Sequence, residues 1–340
     1  MKALRIPEAG NIEVIDLAEP EPSYGEVKLK IQYVGFCGSD LNTFRGANAM
    51  AKRNVIPGHE VGAVIESVGD GCPDIFKPGL VVTVNPYTSC GVCSSCRNGR
   101  FNACQHNETL GVQRDGAMRE YICLPWSKII PVGEMSARDS ALVEPMSVGF
   151  HAVARGNVTD NDVVVVIGCG MVGLGAVIRS VRRGATVIAV DLGLEKLEVA
   201  RKAGAAYCID SSTDDVRGRV LELTGGYGAD VVIEAVGSPV TYVMAVDIVS
   251  FTGRVVCIGY SKSDVSFQTR LFVQKELDIR GSRNATPEDF RAVINCIRGS
   301  EVPLDTFVSG IVSPEQALGA LQKWNSKPEN VFRILVSFVK

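Results

Sequence analysis

No excess of either charge marks this 340-residue chain, whose formal net charge is −3 and whose pI lies near 5.8. That balance gives no basic footprint for nucleic acid and no polybasic patch for a membrane surface. Long hydrophobic runs are missing as well. Val163 to Ile178 is the longest, it falls short of the roughly 20 apolar residues a membrane span needs, and its glycines suit a buried strand running into a helix better. Met1 to Gly10 carries Lys2 and Arg5 without the apolar core of a secretory signal, so a cytoplasmic location is expected. Repeats, low-complexity tracts and long linkers are also lacking. Apolar residues make up 46 % and charged residues 21 %, the balance of an ordinary globular protein, and the length suggests two or three domains at about 150 residues each.

Cysteine, by contrast, is plentiful. Four of the eleven form Cys90-x2-Cys93-x2-Cys96-x7-Cys104. In a chain without a secretory signal such a cluster reads as metal ligands rather than disulfides. Four thiolates close a tetrahedral shell around zinc and leave no open position, so the expected site is structural. Four idle thiols in one loop would be an oxidation liability. The other seven, including Cys169, read as small apolar residues.

The texture changes along the chain. Val27–Phe36, Val61–Gly69 and Leu80–Val84 read as short strands broken by Gly and Pro, and a helix is expected over Ala137–Arg155. From Val163 buried strands alternate with helices: Val163–Ile167, Thr186–Val190, Ala206–Ile209, Asp230–Glu234, Arg254–Ile258 and Leu277–Arg280. That alternation implies βαβ units in a doubly wound parallel sheet. Pro287 and Pro314 open two further helices, and Phe332–Phe338 is a last strand.

Gly168-Cys169-Gly170-Met171-Val172-Gly173 follows a strand and opens a helix, the context in which three glycines let backbone and helix N-terminus approach a pyrophosphate. Asp191 ends the next strand, 18 residues beyond Gly173. A carboxylate there accepts from a ribose diol and repels a 2′-phosphate, which favours NAD over NADP. A second, dispersed set comprises Cys37, His59, Glu60 and Glu144, the first two beside glycines that relax the backbone. Spacing alone does not establish it as a metal site.

These segments resemble the zinc-dependent medium-chain dehydrogenases, near their sorbitol, threonine and sugar-acid branch. The resemblance covers essentially the whole chain. It rests on Gly35-Phe36-Cys37-Gly38-Ser39-Asp40, Gly58-His59-Glu60, the four-cysteine lobe, Gly111-Val112 with Asp115-Gly116, Glu144-Pro145 and Gly168–Gly173. It implies an α/β protein with a GroES-like, β-rich catalytic domain over residues 1–147, carrying a structural zinc lobe at about 88–106. A Rossmann NAD-binding domain is implied over 148–285, and a segment over 286–340 that returns to the catalytic domain. The active site is expected where the two domains meet, with two zinc ions and NAD per chain, in a homodimer or homotetramer.

By the same resemblance, Cys37, His59 and Glu60 are catalytic zinc ligands, and Glu144 ligates directly or through water. Asp40 orients the histidine, and Ser39 begins a proton relay. Many relatives place a histidine three residues after that serine; here stands Asn42, which accepts no proton. The stretch from Lys275 to Phe290 is similar to dehydrogenases of hexonates such as L-galactonate and L-gulonate. The expected reaction is therefore oxidation of a secondary hydroxyl on a sugar acid, first L-gulonate to D-fructuronate. L-galactonate or a neutral polyol such as sorbitol is the alternative. Arg283 is either a carboxylate clamp or a structural arginine. Arg114 either lines the mouth of the cleft or, as the better default, is a solvated loop arginine; Glu288 and Asp289 read as a helix N-terminal turn, and His106 and His151 as surface or satisfied polar groups. An NAD-binding sensor protein would lose the zinc ligands, and a zinc-free quinone or enoyl reductase would lack the cysteine lobe and Gly-His-Glu.

Overall fold

The structure, a computed structural model, describes residues 1–299, 302–328 and 331–339. It divides into two compact units. One holds Met1–Glu144 and most of the chain after Ile294; the other holds Pro145–Val293 and a short return carrying Leu304–Phe307.

In the first unit β1 (Lys2–Arg5) and β2 (Glu13–Asp16) pair antiparallel. Then come β3 (Glu26–Gly35), α1 (Gly38–Phe44), β4 (Glu60–Val68), β5 (Val81–Val84), α2 (Ser94–Arg97), β6 (Tyr121–Pro125) and β7 (Ile129–Pro131). β3 is the spine. It pairs antiparallel with β4 on one side and with β6 through Glu26–Lys30. Two register shifts in the β3–β4 ladder bend the pair and increase its twist. α3 (Ala137–Ser140) follows, and α4 (Val143–Arg155) begins at the end of this unit and belongs from Pro145 onward to the second. A single helix was expected over that stretch. It breaks because Pro145 has no N–H to offer the carbonyl of Ala141, and its ring would collide there.

The second unit continues with β8 (Val163–Ile167), α5 (Met171–Arg182), β9 (Thr186–Asp191), α6 (Leu194–Lys202), β10 (Tyr207–Asp210) and α7 (Val216–Leu223). It goes on through β11 (Ala229–Glu234), α8 (Pro239–Ile248), β12 (Val249–Cys257), α9 (Arg270–Gln274), β13 (Asp278–Gly281) and α10 (Pro287–Arg298). All six strands run parallel in the order β10-β9-β8-β11-β12-β13. The order reverses at β8, so loops after β8 and β11 diverge and leave a crevice at the carboxyl ends of the strands. Val164–Ile167 are buried in succession, as a central parallel strand covered on both faces requires.

After this unit, β14 (Gly310–Val312), α11 (Ala317–Ser326) and β15 (Ile334–Ser337) return to the first. There β15 pairs antiparallel with β3 and completes a seven-stranded sheet. Among the described residues no helix is long and apolar enough to cross a membrane.

Candidate active site and metal centres

The lobe after β5 gathers Cys90, Cys93, Cys96 and Cys104, their sulfurs all within 4.8 Å of one another. Cys93 Sγ lies 3.5 Å from Cys96 Sγ and 3.8 Å from Cys104 Sγ, and none of the cysteines forms a disulfide. A zinc–thiolate tetrahedron with arms of about 2.3 Å has edges of about 3.8 Å, so these sulfurs stand where zinc needs them. Backbone N–H groups point at them too. Cys90 N and His106 N each donate to Cys104 Sγ at 3.3 Å, and Cys93 N donates to Cys90 Sγ at 3.4 Å. Such donors stabilise thiolates, and those from Cys96 and Gln105 bring the Cys93 thiol down to about 6.

The second cluster forms where β3 ends and β4 begins. Gly35 and Glu60 are cross-strand partners, so Cys37, just past β3 at the N-cap of α1, and His59, just before β4, meet across the ladder end. The ligand atoms of Cys37, His59 and Glu60 lie within 4.8 Å of one another. His59 Nδ1 and Glu60 Oε1 are buried without a partner, whereas Glu60 Oε2 is paired with Arg333. Buried polar atoms ordinarily have partners, so an imidazole nitrogen and a carboxylate oxygen left without one, beside a soft sulfur, fit a zinc ion. Burial pushes the Cys37 thiol up, but the His59 charge and hydrogen bond outweigh it and bring it to about 7. Burial likewise disfavours the charged imidazole, yet Cys37, Glu144 and Asp40 raise the His59 pKa well above its ordinary value. Deep burial raises Glu60 despite Arg333.

Asp40 lies close enough to His59 for their charges to act on each other. Its Oδ2 accepts from Cys37 N at 2.8 Å and its Oδ1 has no hydrogen-bond partner. The carboxylate sits at the third residue of α1, where it reaches back to the N-cap backbone and also holds Cys37 in place.

Glu144 is buried, but its Oε1 accepts from the Tyr87 hydroxyl rather than joining the three clustered ligands. Arg333 Nε lies 3.0 Å from Glu60 Oε2, and the guanidinium also donates to Phe36 O. Sequence reasoning missed both Tyr87 and Arg333. The aromatic in Asn85-Pro86-Tyr87, just ahead of the cysteine lobe, was the available signal for the first; the second lies in no motif. A hydrogen bond that orients a metal-side carboxylate typically carries a 10–100-fold effect on metal affinity. Tyr87→Phe should therefore weaken zinc retention against a chelator by about that factor, and unchanged retention would remove Tyr87 from the metal's surroundings.

In the second unit Gly168 leaves β8 with φ +93°, and a Cβ on Gly173 would lie 1.7 Å from Gly168 O. Neither position accepts a side chain. Space beside Gly170 is open, and Met171 and Val172 start α5 with that glycine as N-cap. Their N–H groups are among those a helix leaves without internal acceptors. Asp191 ends β9; its Oδ2 accepts from Cys169 N at 2.5 Å and its Oδ1 from Leu192 N at 2.7 Å, with Lys196 Nζ 4.0 Å away. Each carboxylate oxygen keeps a second lone pair for a hydroxyl.

Residues 23–134 match the family described as Alcohol dehydrogenase GroES-like domain, and residues 172–299 match Zinc-binding dehydrogenase. The chain is 32 % identical to a sorbitol dehydrogenase of Halalkalibacterium halodurans, over 88 % of each protein. It is also 32 % identical to an L-galactonate-5-dehydrogenase of Escherichia coli, over 85 % of each. A solved alcohol dehydrogenase from Escherichia coli CFT073, complexed with NADH, superposes with a TM-score of 0.91 at 29 % identity and covers 99 % of both chains.

The chain belongs to the zinc-type medium-chain alcohol dehydrogenase family. It is an oxidoreductase with a GroES-like unit and a Rossmann unit, and zinc and NAD fit the residues present.

The remaining candidates lie as follows. His106 is exposed, and only its backbone serves the cysteine lobe. His151 Nδ1 and Asp289 Oδ2 form a buried pair at 2.8 Å, with Asp289 also accepting from Thr286. Glu288 is exposed and pairs with Arg291 on the same helix. Arg283 is half-buried just after β13. Arg114 is not the solvated loop residue expected. It is half-buried because Gly111 and Gly116 press its loop onto the backbone of Pro57 and Gly58.

Proposed function

We propose that this dehydrogenase oxidises a secondary hydroxyl of a polyol-like substrate to a ketone and passes the hydride to NAD, releasing a proton. L-gulonate, giving D-fructuronate, is our first substrate, with L-galactonate and sorbitol as alternatives. The convergence of Cys37, His59 and Glu60 around unsatisfied buried atoms carries the reading. The names of the sorbitol and L-galactonate relatives support its substrate class, and eleven free cysteines suit a reducing cytoplasm.

When bound, zinc supplies the Lewis acidity that lowers the substrate hydroxyl's pKa, and NAD is the hydride acceptor. Cys37 and His59 hold the metal, with a carboxylate from Glu60 or Glu144 beside them. Asp40 keeps Cys37 in place through the backbone. Ser39 Oγ is buried without a hydrogen-bond partner, which supports its reading as the hydroxyl that takes up the departing proton. Asn42, one turn further along α1, is no base, and the proton goes on from Ser39 through water or a substrate hydroxyl. Gly168, Gly170, Met171, Val172 and Gly173 receive the pyrophosphate, and Asp191 the adenosine ribose.

Steady-state reduction of NAD with hexonates and polyols tests the reading. Selective turnover of L-gulonate or L-galactonate supports the sugar-acid form; turnover of neutral polyols alone would replace it; silence across the panel would contradict it. Asp191→Ala should raise the KM for NAD by about tenfold or more, the worth of charge-assisted hydrogen bonds, and leave NADP far less affected. Equal losses with both would remove Asp191 as the ribose acceptor.

A further inference from the structure

Two cations close on the same short piece of backbone in the first unit. Arg114 Nη2 donates to Pro86 O at 3.3 Å, and Lys128 Nζ donates to Tyr87 O at 2.6 Å. Each is half-buried, and among the described residues neither is paired with a carboxylate. The neighbouring acid does not neutralise them. Asp115 is engaged by Lys52 Nζ at 3.0 Å and by Ile56 N at 3.2 Å. Exposed Glu108 acts on Arg114 only through space. Arg114 Nε is buried with no partner at all. Burial lowers the pKa of both groups, and the charge of Arg114 lowers Lys128 further. Two like charges fixed on consecutive carbonyls and half withdrawn from water repel each other, and an anion between them relieves that repulsion.

Their position ties them to the reaction. Tyr87, whose carbonyl holds Lys128, places its hydroxyl on Glu144. The loop of Arg114 packs backbone to backbone on the turn that carries His59; a Cβ on Gly111 would stand 2.5 Å from Gly58 N, and one on Gly116 2.4 Å from Pro57 O. The cations therefore stand on the scaffold that sets the catalytic ligands.

We infer that Arg114 and Lys128 form an anion subsite that holds a carboxylate or phosphate at the far end of a polyol chain whose hydroxyl reacts at the Cys37–His59 cluster. The inference rests on the dehydrogenase reading for the reacting end, and it assigns the acid-binding role to Arg114 and Lys128 rather than to Arg283. Arg supplies a planar fork for a carboxylate or phosphate, and Lys a mobile point charge.

Calorimetric titration of the zinc- and NADH-loaded protein with sorbitol, D-gluconate and sorbitol 6-phosphate tests it without turnover, because the reduced cofactor accepts no hydride. One anionic probe should bind at least about tenfold tighter than sorbitol, as one or two charged hydrogen bonds give. The probe that binds tighter tells carboxylate from phosphate. In Arg114→Gln and Lys128→Gln the ratio to sorbitol should fall toward unity, whereas Arg114→Lys should retain part of it. Equal affinities for the three probes in the parent protein, or a ratio unmoved by both glutamine variants, would overturn the subsite. Failure of the dehydrogenase reading shows separately, as no NAD reduction by any alcohol, and leaves the binding ratio to decide the subsite.

Discussion

Cys37→Ser should lower turnover by about a thousandfold or more while NAD binding stays within about twofold. A metal acting as Lewis acid supplies several kcal/mol to the transition state, and each 1.4 kcal/mol is tenfold in rate. Serine keeps the size and the N-cap geometry of α1, so Asp40 still receives the backbone N–H of residue 37. What it removes is the soft, low-pKa sulfur in a set otherwise made of His59 and carboxylates. The dinucleotide site we propose, Gly168–Gly173 and Asp191, lies in the other unit, and the substitution does not alter it. Stopped turnover with intact NAD affinity is the expected pair of results, read by steady-state kinetics and by NADH fluorescence titration. Substantial activity in the variant would move catalysis away from this cluster.

Loss of the cysteine lobe's metal should instead appear as loss of stability. Cys93, Cys96 and Cys104 form a small cluster of their own with Cys90 against it, apart from the main cores. So little apolar surface cannot order the loop, and metal binding there is folding energy. Zinc in comparable small sites contributes roughly 10–16 kcal/mol. Even about 3 kcal/mol lost from a domain of this size lowers Tm by about 6–12 °C. Cys104→Ser should accordingly reduce the zinc content by one ion per chain, lower Tm by at least that amount and open the loop to proteolysis. An unchanged Tm with unchanged zinc would mean that the four thiols bind no structural ion.

The Rossmann unit was legible because its strands are apolar on both faces. Val163–Ile167 and its neighbours stand out as short valine-rich runs, and the glycines follow one of them directly. The other unit was harder to read. β1, β2, β6 and β7 are three to five residues long, too short for a periodicity to emerge. α8 ends at Ile248 and β12 starts at Val249, so strand follows helix with no turn residue to mark the change; the strand was read as beginning only at Arg254.

The four-cysteine lobe was readable from spacing, since all its ligands lie in one loop. Cys37 and His59 come together only through the β3–β4 register, which pairs Gly35 with Glu60, and local sequence carries little of that. Family resemblance supplied them. Arg333 reaches Glu60 because β15 returns beside β3, a pairing invisible before the topology is known. Arg114 was read as solvated, but its burial comes from glycines packing against Gly58 from a distant part of the chain.

The most direct test of the account removes zinc and returns it while both metal content and NAD reduction are followed on the same sample. Two ions per chain are expected, one at each constellation. Withdrawal of the more labile ion should abolish oxidation of the substrate alcohol, and stoichiometric zinc should restore it in proportion to occupancy. Full NAD reduction in protein that holds only the cysteine-lobe zinc would contradict the assignment of Cys37, His59 and Glu60 as the catalytic metal site.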